Sequence, residues 1–138
     1  MAAVIVDDQG RVLALQRRDN SHWEPPGGVL ELGETIHDGL LREVREETGL
    51  EVVPEALTGV YKNMRRGIVA LVFRCAILGG ELTTSNESRD LRWIHPDEAH
   101  SYMAEAYAVR ITDALSDQSP QVRIHDGSRL LRQRTVGP

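Results

Sequence analysis

One cysteine, one phenylalanine and a single lysine in 138 residues set limits before any motif is considered. Cys75 alone excludes an internal disulfide and fits a reducing compartment, so a cytoplasmic protein is expected. It lies in an apolar run with no electropositive neighbourhood, which reads as a buried thiol and not as a nucleophile. No apolar run approaches the ~20 residues of a membrane-spanning helix. The first apolar stretch stops at Asp7-Asp8 and has no basic lead, against a signal peptide. A net charge of −5 gives no broad positive field, so neither nucleic acid nor a membrane surface is expected as a partner. Aromatics are scarce, and the candidates for stacking on a ligand ring are Trp23, Tyr61 and Phe73, each of which reads first as a core residue. His22, beside Trp23, could approach a ligand, whereas His37, His95, His100 and His125 lack metal-ligand spacing. Internal repeats and low-complexity tracts are absent.

What is there is concentrated between Gly28 and Leu50, in the segment GVLELGETIHDGLLREVREETGL. It runs Gly28, five residues, Glu34, seven residues, then Arg42-Glu43-Val44-x-Glu46-Glu47-x-Gly49-Leu50. Each required residue type occurs at roughly 7% or less, so a chance match is on the order of one in 10⁸ per start site. Ile36, Leu40, Leu41 and Val44 keep helical spacing. Thr35 stands at an N-cap position with Asp38 three residues on, and Gly49 stands where a left-handed glycine ends a helix. At 100° per residue Glu43 and Glu47 fall within about 40° of each other, and Glu46 about 60° from Glu43. Glu47 then lies at the edge of the apolar stripe, where a carboxylate must be protonated, paired or metal-bound. Like charges four residues apart also repel. Hard divalent cations resolve both problems, and Mg²⁺ bridges carboxylates to phosphates.

On its own an Arg-Glu-x-x-Glu-Glu run reads as a solvated face, with Asp38–Arg42 and Arg42–Glu46 as ordinary helical pairs. The upstream loop changes that reading. Trp23-Glu24-Pro25-Pro26-Gly27-Gly28 is stiffened by prolines and ends in paired glycines that let backbone approach a ligand. A loop, helix, loop unit with clustered acids is a phosphate and metal site. Gly39, inside the helix, costs about 1 kcal/mol relative to Ala, and the sequence offers no reason for it.

The rest of the chain reads as mixed strands and helices. Ala2 to Val6 and Arg11 to Arg17 form a hairpin around Asp7-Asp8-Gln9-Gly10, and Asp19 to Gly28 is a loop. Strands follow at Leu50 to Val53 and Leu57 to Tyr61, then a near-continuously apolar and therefore central one at Gly67 to Leu78. Gly79-Gly80 is expected to turn the chain before a strand at Leu91 to Ile94. Pro96 opens a helical stretch in which Met103, Ala106, Tyr107, Ile111, Ala114 and Leu115 keep helical spacing, and Val122 to Ile124 reads as extended. One domain over 1–130 is expected, with 131–138 a flexible tail.

The Gly28–Leu50 register resembles the signature of the Nudix hydrolases, the MutT-like nucleoside diphosphate-X hydrolases, and the element order resembles their fold over about residues 2 to 115. The resemblance implies an α+β architecture with a mixed β-sheet sandwiched between helices. It implies that Glu43, Glu46 and Glu47 bind metal, that the Gly27 carbonyl joins them, and that Glu34 and Arg42 buttress the loop and orient the acids. Glu87, six residues before Trp93, matches an acid that reaches the metal from a loop in related triphosphate pyrophosphohydrolases. Arg18 resembles a phosphate-contacting arginine, and Trp23 and Gly28 would line the substrate. The cofactor implied is Mg²⁺, with Mn²⁺ as a substitute. The partner is a small nucleotide, and a homodimer is left open. The reaction implied is hydrolysis of the diphosphate linkage, with Glu46, Glu43 or Glu87 as the proton acceptor. Arg65, Arg66, Gly67 and Ile68 stand where ADP-ribose and dinucleoside polyphosphate subgroups carry proline or tyrosine, and the NADH and coenzyme A elements are missing. Elimination leaves a nucleoside triphosphate or a small nucleotide-sugar. The alternative is a non-catalytic nucleotide-sensing module, which the intact acid set argues against.

Overall fold

Strict alternation in the first strand divides the molecule into two cores. In the computed structural model, which describes residues 1–133, β1 (Ala2–Val6) buries Ala2 and Val4 on one face and Ala3 and Ile5 on the other. That is the period of a strand with both faces covered. Further along come β2 (Val12–Arg17), β3 (Trp23–Glu24), α1 (Ile36–Thr48), β4 (Leu50–Asn63), β5 (Val69–Gly80) and β6 (Ser88–Ile94). A 3₁₀ turn at Pro96–Glu98 leads into α2 (Ala99–Tyr102), α3 (Glu105–Ala114), β7 (Gln121–His125) and β8 (Leu130–Leu131). One mixed sheet has the order β3-β2-β1-β5-β4-β7-β8, with β6 paired to β2 off that path. The β1–β5 and β4–β7 pairs are parallel and the others antiparallel.

One side of the sheet packs on α1 through Leu40 and Val44, against Ile5, Leu13, Val52, Phe73 and Cys75. The other packs on α2 and α3 through Ala99, Met103, Ala108 and Ile111, against Val4, Val12, Tyr61 and Val72. This is the α+β arrangement expected, a mixed sheet between helices. The β1–β2 hairpin and the central place of β5 also agree with the sequence reading.

Several boundaries differ. The two segments expected around Pro54 are one strand, β4, whose register shifts between Pro54 and Ala56. A bulge absorbs the missing amide of proline without ending the strand. Gly79 and Gly80 extend β5, pairing with Glu51 and Leu50. The loop expected from Asp19 contains the short β3, and the strand expected from Leu91 begins at Ser88. The helical stretch after Pro96 breaks at Met103 and Ala104, both extended. The break seats Met103 in the core and lets the Ala106 amide reach the Ser128 carbonyl. Ile36, counted in the apolar stripe of α1, is exposed. Leu131, where a flexible tail was expected to start, pairs with Ile124, and the Gln133 side chain donates to the Val122 carbonyl. The remainder of that tail, 134–138, lies outside the described residues.

Candidate active site

Helix α1 begins and ends as its sequence dictates. The Thr35 hydroxyl accepts from the Asp38 amide at 3.1 Å, and Gly49 takes φ 79° to close the last turn on the Arg45 carbonyl. These caps fix the ends of α1, while Leu40 and Val44 packed on the sheet fix its rotation and with it the face that carries the acids. Glu43 and Glu47 are buried on that face, against the Gly27–Gly28 turn. The Gly27 amide donates to Glu47 at 3.2 Å. A Cβ at position 27 would collide with the backbone of Met1 and Ala2, so the turn requires glycine there, and a Cβ at position 28 would displace the Glu43 carboxylate. Gly39 has a similar explanation, since a Cβ there would press on Leu30 and Glu34 of the loop packed against α1.

Arg42 organises the rest. Its Nε donates to Glu34 Oε2 at 2.6 Å and its Nη2 to Glu34 Oε1 at 2.8 Å, a two-point fork. Nη1 reaches Glu43 at 3.0 Å and Glu46 at 3.2 Å, and Nη2 also reaches the Val29 carbonyl at 3.2 Å. The Arg42 guanidinium holds the Glu34 carboxyl down at about 2, so that pair stays ionised through the neutral range. Glu46 is the outlier among the helix acids. Its side chain is exposed and turned to Arg42, whereas Glu43 and Glu47 face the cleft.

The third converging acid comes from far along the chain. Oxygens of Glu43, Glu47 and Glu87 lie within 4.8 Å of one another. Glu87 sits on the β5–β6 loop, which is fastened on two sides. The buried Ser88 hydroxyl donates to the Glu47 carbonyl at 2.8 Å, and the Thr83 amide donates to the Thr48 carbonyl at 2.9 Å. Just past β2, the Arg18 amide donates to the Glu87 carbonyl at 3.0 Å and the Arg18 Nε to the Ser85 carbonyl at 2.7 Å. Ser85 and Ser88 escaped the sequence reading. A serine that caps a loop against a helix end 41 residues away leaves no periodic trace.

Burial and the neighbouring carboxylate of Glu43 push the Glu47 carboxyl up to about 8. Three crowded acids, two of them buried, with no arginine on Glu47 among the described residues, form a donor set of hard oxygens that suits a divalent cation. The cleft over them has a volume of about 800 Å³ and is flanked by Arg17, Arg18, Gly28 and Asn86.

The aromatic candidates stand elsewhere. Trp23 packs edge-on against Tyr102 at 5.3 Å with the Arg92 guanidinium over its face, and lines a separate recess with His22. Tyr61 is fully buried with its hydroxyl donating to Asp113 at 2.7 Å, and Phe73 is buried against His37. None of the three lines the acidic cleft, because each is already engaged by its own neighbours. Cys75 is buried, and burial raises its thiol to about 12, which makes it inert. Among the described residues no helix is long and apolar enough to cross a membrane.

Residues 1–115 match the family model described as the NUDIX domain. A MutT-like protein of Streptomyces ambofaciens is 56% identical over 131 residues, covering 95% of this chain and 85% of that one. An ADP-ribose pyrophosphatase of Methanocaldococcus jannaschii is 31% identical over 93 residues, covering 62% of this chain and 55% of its own length. Among solved structures, the MutT protein of Bacillus halodurans superposes with a TM-score of 0.73 at 28% identity, covering 95% of this chain and 92% of that one.

Proposed function

Because the chain belongs to the Nudix hydrolases, we propose that it hydrolyses the diphosphate linkage of a nucleoside diphosphate joined to a further group. The substrate class is a nucleoside triphosphate or a small nucleotide-sugar, and the products are a nucleoside monophosphate and the phosphorylated remainder. The observation that carries this reading is the convergence of Glu43, Glu47 and Glu87 within 4.8 Å beside the Gly27–Gly28 turn.

Glu43, Glu47 and Glu87 would hold Mg²⁺, or Mn²⁺ in its place, together with the Gly27 carbonyl, and Glu46 would join them on turning away from Arg42. When bound, the cation neutralises phosphate oxygens and makes water a better nucleophile. The chain's own residues do the rest. Gly28 lets the diphosphate approach the backbone closely, and the guanidinium nitrogens of Arg18 not used on Ser85 contact a phosphate oxygen. Glu87 takes the proton of the attacking water. Glu43 and Glu46 are held by Arg42, while the Glu87 carboxylate forms no hydrogen bond among the described residues. Arg42 and Glu34 keep Glu43 oriented as charge moves in the cleft.

Two outcomes are expected. Activity requires added Mg²⁺ or Mn²⁺, and either ion raises the melting temperature by relieving repulsion among the acids. A phosphate-release screen over nucleotide derivatives, run with and without chelator, tests both the activity and its substrate class. Full turnover in excess chelator overturns the reading. Arg42→Lys keeps the charge but loses the fork on Glu34, and is expected to lower kcat/KM by roughly 10–100-fold. Its melting temperature in chelator should stay near that of the parent, which separates orientation of the acids from loss of fold.

A further inference from the structure

A second cavity, about 210 Å³, shares Arg17, Gly27, Gly28 and Val29 with the acidic cleft and so adjoins it across the glycine turn. Ile68, Ala70 and Tyr107 give it apolar walls, and Arg110 of α3, His125 of β7 and Asn63 of β4 supply polar ones. Arg110 is only 7% exposed. Its guanidinium lies 5.1 Å from the Tyr61 ring centre and 4.8 Å from that of Tyr107, and among the described residues its Nε has no hydrogen-bond partner. Glu24, the carboxylate that also lines the cavity, is held by Arg17 at 3.1 Å.

The neighbours of Arg110 are donors as well. His125 Nδ1 accepts the Gly127 amide at 3.0 Å, which leaves Nε2 as the protonated nitrogen of a neutral ring. That nitrogen faces Arg110 Nη2 at 3.5 Å, donor toward donor. Asn63 spends its oxygen on the amides of Arg65 and Arg66, at 3.0 and 3.2 Å, so its amide nitrogen is the end left to bond. Buried donors without an acceptor, one of them a guanidinium with no ion-pair partner among the described residues, are costly to maintain. An acceptor supplied by a ligand removes that cost.

We propose that this cavity seats the nucleobase of the substrate and selects bases with an oxo group on the reading edge over bases with an amino group there, with Arg110 as the specificity-determining residue. The proposal rests on the hydrolase reading above and concerns its substrate. Apolar side walls suit a flat heterocycle, and an arginine fork pairs with a carbonyl oxygen and an adjacent ring nitrogen. An exocyclic amino group in the same place would add one more donor to a wall of donors. Hypoxanthine and adenine have nearly the same size and differ on that edge, so they isolate the chemistry from the shape.

Turnover of inosine triphosphate and ATP with Mg²⁺ is one test, and binding of inosine and adenosine monophosphates by calorimetry is another that needs no turnover. The expected preference in kcat/KM for inosine triphosphate is at least about tenfold, and it should fall to within about threefold in Arg110→Met. Arg110→Lys, which keeps a charge on the Tyr61 and Tyr107 rings, should lose most of the preference while keeping its melting temperature near the parent's. Should Arg110→Met fail to fold, the parent ratio and the lysine variant still decide. Equal use and equal binding of the two bases by the parent overturn the proposal while leaving the hydrolase reading standing. A preference that survives in a folded Arg110 variant removes Arg110 from the role. Tighter binding of the inosine nucleotide without any hydrolysis overturns the hydrolase reading and keeps the base pocket.

Discussion

Glu47→Gln is expected to lower turnover by several orders of magnitude while the protein stays folded, and to make the metal-free protein more stable above neutral pH. The two effects share one cause. Glu47 is buried at the edge of the α1 core beside Glu43, and its carboxyl is pushed from 4.5 to about 8. A carboxyl raised in the folded state holds its proton more tightly there than in the unfolded chain. The contribution of Glu47 to stability in chelator therefore falls as pH rises from 4.5 to about 8, and is constant on either side of that window. Glutamine mimics the protonated form and cannot ionise. The gain of the variant over the parent should be absent below the window, grow through it and be complete above it. Saturating Mg²⁺ reverses the order, because the parent gains a ligand-bound state that the variant binds poorly. Thermal melts at three pH values, each with chelator and with Mg²⁺, read all of this. A stability difference independent of pH, or near-parent turnover, would show that Glu47 is a packing residue without a role at the metal.

The contrast between Glu47 and Arg110 explains how far the sequence could be read. The helix from Ile36 to Thr48 was legible because caps, apolar spacing and the acid register all lie within one short stretch, the caps marking its ends and the other two its facing. The sheet order was legible only in part: apolarity marked β5 as central, but Pro54 looked like a boundary and proved to be a bulge inside β4. Nothing local announced the break between α2 and α3, since it serves a bond from Ala106 to Ser128. Arg110 did leave a signal. It falls midway between Ala106 and Ala114, on the apolar stripe of α3, where a charge has no business without a partner. What the sequence withheld was the partner's identity, because Tyr61, Tyr107 and His125 meet it from three elements. Ser88 left none, for its acceptor is a carbonyl at the far end of α1.

Glu87→Gln is expected to reduce kcat far more than it alters KM, with the melting temperature in chelator nearly unchanged. Glu87 is exposed on a loop, so little packing is lost, and the loop is held by Ser88, Arg18 and Ser85 through groups the substitution leaves in place. Only the carboxylate changes. Glutamine keeps the shape and one acceptor oxygen but cannot take a proton, so the loss should fall on the chemical step and leave substrate binding nearly intact. Raising the pH supplies more hydroxide and should recover part of the rate in the variant, which a purely structural defect would not allow. The double variant with Glu47→Gln should lose much less than the product of the two single losses, because both side chains act on one cluster within 4.8 Å. Ser88→Ala provides the geometric control. It keeps the Glu87 carboxylate but releases its loop from α1, and should lower kcat by a smaller factor with no change in the pH profile. If Glu87→Gln retains nearly all activity, Glu87 is a solvated loop residue and the proton goes to Glu43 or Glu46 on the helix. If its loss multiplies cleanly with that of Glu47→Gln, the two acids act independently and the shared metal cluster is wrong.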